Sequence, residues 1–239
     1  MSNSFIIGAY WGSRAEPLMI VSDKVLRTLN MLAETDEQFL NWYEGGMSRK
    51  KALEKKVSID SESIEKLCRS SVKKGELDEN GFAKYGFITG LWTGHQDQET
   101  SGIQFIVGDT FKIPNIKNVC VINIPFKGAA HDRLLEVEKA KSILGILVEI
   151  WKPDYAVLIS DDLRDKLHVG NQIGWITYQK SIKRYPILLR IVFPKTFDKL
   201  IYEKTPDGHW FFPKPGNTYD DDLVKALLIL KKNLRINSD

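Results

Sequence analysis

YGFITGLWTGHQDQETSGIQFIVGDTFKIPNIKNVCVINI, residues Tyr85 to Ile124, is the stretch that decides the fold. It holds three runs, Tyr85 to Trp92, Gly102 to Val107 and Asn118 to Ile124. All three are rich in β-branched and aromatic residues, which suit a pleated surface. Gly94 and Ser101-Gly102 separate the first two, and Pro114-Asn115 separates the second from the third. This punctuation predicts three consecutive antiparallel strands. Gly86 and Gly90 fall inside the first run and mark a bulge or close packing of backbones.

Outward from this stretch the period changes. After a first strand, Ser4 to Trp11, residues Val21, Val25, Leu26, Leu29 and Leu32 recur at three- and four-residue spacing. That spacing predicts a helix within Glu16 to Glu34. Asp36 is placed to cap a second, short helix carrying Phe39, Leu40, Trp42 and Tyr43. Ser48 can cap a third through about Lys55, and Asp60 or Ser61 a fourth with Ile64, Leu67 and Cys68 inward. Downstream, His131 to Trp151 predicts a long helix with Val137, Ala140, Leu144, Leu147 and Trp151 on one face. Glu136 with Lys139 and Glu138 with Lys141 would pair on its exterior. Pro153 stops it, and Tyr155 to Ile159 is apolar enough for a central strand.

A short helix over Asp161 to Leu167 and strands at Trp175 to Tyr178, Ile187 to Phe193 and Leu200 to Tyr202 follow. Asp207-Gly208 predicts a hairpin turn into Trp210-Phe211-Phe212. A last helix runs from about Asp220 to Leu234 with Leu223, Leu227, Leu230 and Leu234 inward. Its acidic start and basic end match the helix dipole. The expected class is α+β, with an antiparallel or mixed sheet packed against amphipathic helices. Residues 1–239 read as one unit, with two subdomains at roughly 1–125 and 126–239 as the alternative.

Composition narrows the function. Among 239 residues, 34 are basic and 31 acidic, giving a net charge of +3. That even balance disfavours a nucleic-acid binder, which concentrates basic charge. The densest basic run, Arg49-Lys50-Lys51 with Lys55-Lys56, fits a solvated helix face. Cys68 and Cys120 suggest no disulfide framework, so a reducing compartment is expected. The start of the chain lacks a leader pattern, and no apolar stretch is long enough to span a bilayer, so a cytoplasmic location is expected.

Catalytic patterns are weak. There is no GxxxxGK[ST] or GxGxxG loop, no CxxC or HExxH, and no GxSxG elbow. His95, His131, His168 and His209 stand apart from one another. Neither a cofactor nor a metal is expected, and catalysis is not. One weak pattern remains: Pro153-Asp154 followed by Asp162-Leu163-Arg164 places carboxylates that suit a hard cation in a divergent nuclease. Asp220-Asp221-Asp222 is explained by the helix N-terminus alone.

Four segments carry a resemblance. They are Tyr10-Trp11-Gly12-Ser13-Arg14, Trp42-Tyr43, Ser48 with Ala52, and Gly174-Trp175-Ile176-Thr177-Tyr178, in that order across most of the chain. Together they resemble the immunity protein 52 family of bacterial polymorphic toxin systems. The resemblance implies an α+β protein encoded beside a toxin. It further implies that the toxin is a nuclease of restriction-endonuclease-like fold, delivered by contact-dependent secretion such as type VI. The immunity protein binds that toxin and protects the producing cell, with no active site of its own. The motif residues themselves have a structural character.

A nuclease cleft is basic, and a wholesale DNA mimic would be strongly acidic. At +3 this chain is not. Local acidic loops at strand ends are the better candidates, rather than the tryptophan-bearing strands. His95, Asp97 and Glu99 lie between two expected strands with no Lys or Arg beside them. Asp161, Asp162 and Asp165 follow the expected central strand, where scaffolded loops often carry function.

Overall fold

The computed structural model describes residues 4–109, 118–167, 172–182, 198–214 and 219–234. Its centre is β1 (Phe5–Trp11), flanked on both sides by strands from different parts of the chain. After β1 come α1 (Leu18–Thr35), a 3-10 turn (Glu37–Phe39), β2 (Trp42–Glu44), α2 (Arg49–Leu53), β3 (Lys56–Val57) and α3 (Ser61–Ser70). The three expected strands are β4 (Phe87–Trp92), β5 (Gly102–Val107) and β6 (Asn118–Asn123). Then follow α4 (Ala129–Leu134), α5 (Val137–Trp151), β7 (Tyr155–Ser160), α6 (Asp161–Leu167) and β8 (Ile176–Gln179). The chain closes with β9 (Leu200–Thr205), β10 (Gly208–Pro213) and α7 (Asp221–Leu234).

The ten described strands form one sheet in the order β3-β2-β4-β5-β6-β1-β7-β8-β10-β9. Every ladder is antiparallel, which places the chain in the α+β class. On β1 the alternation is decisive. Ile7, Ala9 and Trp11 point to the helical side and are buried. Trp11 stacks on Trp151 of α5 at 5.4 Å between ring centroids, and Phe105 of β5 meets the same ring at 5.7 Å. The Trp151 indole N–H donates to Thr28 Oγ1 of α1 at 3.1 Å. Three elements far apart in sequence therefore converge on one buried aromatic side chain.

Several local expectations need correction. Trp42 and Tyr43 are strand, not helix. The turn capped by Asp36 ends at Phe39, and Trp42 then pairs with Val57 and Tyr43 with Trp92. Large aromatic residues gain more by packing on a pleated surface than by continuing a single turn. The helix expected over His131 to Trp151 is two. The break falls at Leu135 and Glu136, where Glu136 leaves the helical conformation (ψ 132°) and the Tyr219 hydroxyl donates to the Leu135 carbonyl at 2.7 Å. His131 thus lies inside α4.

The expected exterior pairs on α5 give way to longer-range partners. Lys139 donates to the Thr35 carbonyl, and Lys141 reaches Glu203 while lying 3.9 Å from the Phe212 ring centroid. The hairpin loop is Pro206-Asp207, one residue earlier than expected, with Gly208 opening β10 opposite Thr205. Gly86 directly precedes β4 at φ +68°, and a Cβ there would lie 2.6 Å from the Val107 carbonyl oxygen. It is a close-approach glycine. The expected strand at Ile187 to Phe193 and the side chain of Leu234 lie outside the described residues.

Candidate functional site

The sheet register brings the two acidic segments to the same end of the molecule. Gly102 opposes Asn123, Asn123 opposes Ile6, and Ile6 opposes Ile159. The start of β5, the end of β6, the start of β1 and the end of β7 therefore share one rim. The β4–β5 loop with His95, Asp97 and Glu99, and α6 with Asp161, Asp162 and Asp165, both rise from it. Three strand spacings separate their stems, about 14 Å.

The β4–β5 loop is braced from below. Thr93 N–H donates to the Ser101 carbonyl at 2.9 Å, and Ser101 N–H donates to Thr93 Oγ1 at 3.0 Å. The buried Gln38 amide donates to the Glu99 carbonyl at 2.9 Å and to Thr93 Oγ1 and Ser101 Oγ at 3.3 Å each. Gln98 adopts φ +70°, and its carbonyl accepts from Phe126 N–H and Lys127 N–H at 2.7 and 3.1 Å. His95, Asp97 and Glu99 consequently project into solvent from a fixed backbone. Among the described residues, neither Asp97 nor Glu99 belongs to an ion pair.

Gln38 is itself held by an ionic clamp. Its backbone N–H donates to Asp36 Oδ1 at 3.0 Å. The Asp36 carboxylate is almost fully buried and takes two 2.8 Å hydrogen bonds from the Arg133 guanidinium, with Lys139 at 3.8 Å. Burial pushes the Asp36 carboxyl up, but the Arg133 and Gln38 bonds and the charges of Arg133 and Lys139 together outweigh it. The group is held below its ordinary value. Bidentate guanidinium pairing is the strong form of such bonds. The sequence identified Asp36 as a cap but missed Gln38 and Arg133. Nothing local to either residue signals a partner dozens of positions away.

α6 differs in its charge state. Asp161 pairs with Arg164 at 2.8 Å and Asp162 with Lys166 at 3.0 Å, and Lys166 also reaches Asp221 at 3.2 Å. The hydrogen bonds that Lys166 donates to Asp162 and Asp221 raise its amine above its ordinary value. Asp165 is exposed on the same short helix. Two of the three carboxylates here are answered within the chain.

The nuclease-like pair Asp154 and Asp162 does not converge. Asp154 precedes β7, where its Oδ2 accepts from Gly12 N–H at 3.0 Å. Asp162 follows β7, whose six residues span about 20 Å. The two carboxylates stand at opposite ends of a strand and cannot share a cation. Among the described residues no group of three or more His, Cys, Asp or Glu is placed to hold a metal ion. Both cysteines are buried, and burial pushes the Cys68 thiol up to about 12 and the Cys120 thiol well above its ordinary value. Neither provides a thiolate at neutral pH.

The segments that carried the family resemblance hold the scaffold. Tyr10 stacks on Tyr155, and the Gly12 carbonyl accepts from the Asn118 amide at 2.8 Å. Ser13 donates to the Asp109 carbonyl, and Arg14 donates to the last carbonyl of α5, at Trp151, while lying over the Trp11 ring. At the other motif, Trp175 donates to Ser160 Oγ and Thr177 Oγ1 accepts from Gly174 N–H.

No helix among the described residues is long and apolar enough to cross a membrane. No curated protein matches the chain. Among solved structures, the Pseudomonas aeruginosa T6SS protein PA0821 is similar in fold, with a TM-score of 0.51 at 11% identity, covering 97% of this chain and 72% of that one. The family model for Immunity protein 52 matches residues 3–187. That match spans well over half of the 239 residues, and the chain belongs to the Immunity protein 52 family.

Proposed function

We propose that this chain is a cytoplasmic immunity protein that binds and neutralises a cognate secreted nuclease toxin, protecting the producing cell without catalysis of its own. Membership of an immunity family supports the protein partner. The observation that carries the contact is the braced β4–β5 loop, which presents Asp97 and Glu99 with no counter-ion among the described residues. Carboxylates so placed suit the arginines and lysines that a nuclease uses to hold phosphate, and would speed association and fix register. Asp161, Asp162 and Asp165 on the same rim form the second contact. The fold shared with a T6SS protein is consistent with delivery of the toxin by type VI secretion. The whole chain, 1–239, acts as one unit in this reading. The central β1 bonds both β6 and β7, which favours one unit over subdomains at 1–125 and 126–239. The alternative of a metal-dependent nuclease on Asp154 and Asp162 loses its motive with their separation.

The test is co-expression with the toxin encoded by the adjacent gene. Growth should be restored, and the purified proteins should associate with a Kd of about 10⁻⁹ M or tighter. Charge reversal of Asp97 with Glu99 should slow association and flatten its salt dependence. Reversal of Asp161 with Asp162 should do so less, because Arg164 and Lys166 already answer those charges. No protection and no binding by the native protein would overturn the reading.

A further inference from the structure

The side of the sheet turned away from α5 is covered unevenly. On β4, β5 and β6 the inner residues, such as Phe87, Phe105 and Cys120, are buried. Their outer neighbours are Ile88, Gly90 and Trp92, then Gly102, Gln104 and Ile106, then Val119, Val121 and Asn123. An antiparallel sheet with one wet face ordinarily turns polar residues to that face. Here no residue of the three strands is charged. Ile88, in the body of β4, is 54% exposed; its register partner Ile106, and Val119 opposite Ile106 on β6, are half-buried. Gly90 is exposed, and a Cβ built there meets nothing closer than the Ile103 carbonyl oxygen at 3.5 Å. Having no side chain, it leaves the backbone uncovered between Ile88 and Trp92 on this face. Contiguous apolar surface of this kind marks association sites.

The charge arrangement says what fits. The uncharged face ends, at Trp92 and Gly102, in the very loop that carries Asp97 and Glu99. An apolar centre bounded by a charged rim is the anatomy of a protein interface. We infer that the outer face of β4–β5–β6 is the centre of the toxin-docking surface, and that its occupant is a protein patch of apolar side chains flanked on one side by lysine or arginine. This inference rests on the immunity reading and extends it from the loop to the sheet. It also places a tryptophan-bearing strand at the contact, where the sequence pointed only to loops.

The experiment uses the full chain and the purified toxin domain encoded by the adjacent gene. Ile88→Glu and Gly90→Lys are compared with Met19→Glu, a matched exposed apolar site on α1. Circular dichroism and urea midpoints check folding of each. Each face variant should weaken binding about tenfold or more, as expected for the buried centre of an interface. Met19→Glu should stay within about twofold, as peripheral residues do. If the native protein binds the toxin and both folded face variants bind equally well, the inference is overturned while the immunity reading stands. If the native protein binds no toxin, both fall. Sedimentation velocity of the native protein alone supplies an independent arm: a stable dimer dissolved by Ile88→Glu would assign the face to a second copy and overturn the inference.

Discussion

The two wings of the sheet, on either side of β1, are built from the same antiparallel ladder and end in opposite environments. On the β7–β8–β10 wing the outer residues Val157, Thr177 and Phe211 are as buried as the inner ones. On the β4–β5–β6 wing the corresponding side carries Ile88, Gln104 and Asn123 in contact with solvent. Both wings are apolar in sequence, so hydrophobicity does not separate them. The difference lies in what is stacked on top. The closed wing is core, where a polar substitution meets no water. The open wing is a surface, where the same substitution is solvated and what it alters is association.

The sharpest way to break this comparison is to place the same kind of charge on both wings. Val157→Asp buries a carboxylate with no partner on the closed wing. It should cost about 4 kcal/mol or more, read as loss of the cooperative urea transition or of soluble protein. A folded variant with a near-native midpoint would show that the outer side of β7 is wet.

A smaller effect is expected at the clamp beneath the candidate loop. Arg133→Met leaves Asp36 buried without its guanidinium and should cost about 1.5–3 kcal/mol at neutral pH. Because the folded Asp36 carboxyl is held below the ordinary aspartate value of 3.8, its contribution is complete above that value and is lost as pH falls through the lowered one. The native-to-variant gap in urea midpoint should therefore be widest at neutral pH and shrink as the pH falls below the ordinary value of 3.8. A gap that does not change with pH would mean that the pair is not the source of the stability.

The smallest effect on stability belongs to the open wing. Ile88→Glu should shift the folding free energy by about 0.5 kcal/mol or less, since exposed substitutions seldom do more. A loss as large as that at Val157 would show that this face is covered, and the contrast between the wings would disappear.

Much of this was legible in the residues. The strand runs of Tyr85 to Ile124, the helix faces of Val21 to Leu32 and Ile64 to Cys68, and the caps at Asp36, Ser48 and Asp60 all follow from period and local hydrogen bonding. These are signals within a few positions of one another. They determined the α+β class, the antiparallel hairpins and the acidic character of the two candidate segments. Tertiary structure alone decided that β1 sits mid-sheet, that both segments share one rim, and that Asp154 and Asp162 stand a strand's length apart. It also decided that Gln38 and Arg133 brace a loop they do not neighbour in sequence, and that the outer side of one apolar wing is buried while that of the other is partly open to solvent. Those outcomes depend on register and on which long-range surfaces stack. A pattern of alternating side chains fixes which residues share a face, but not what comes to lie against it.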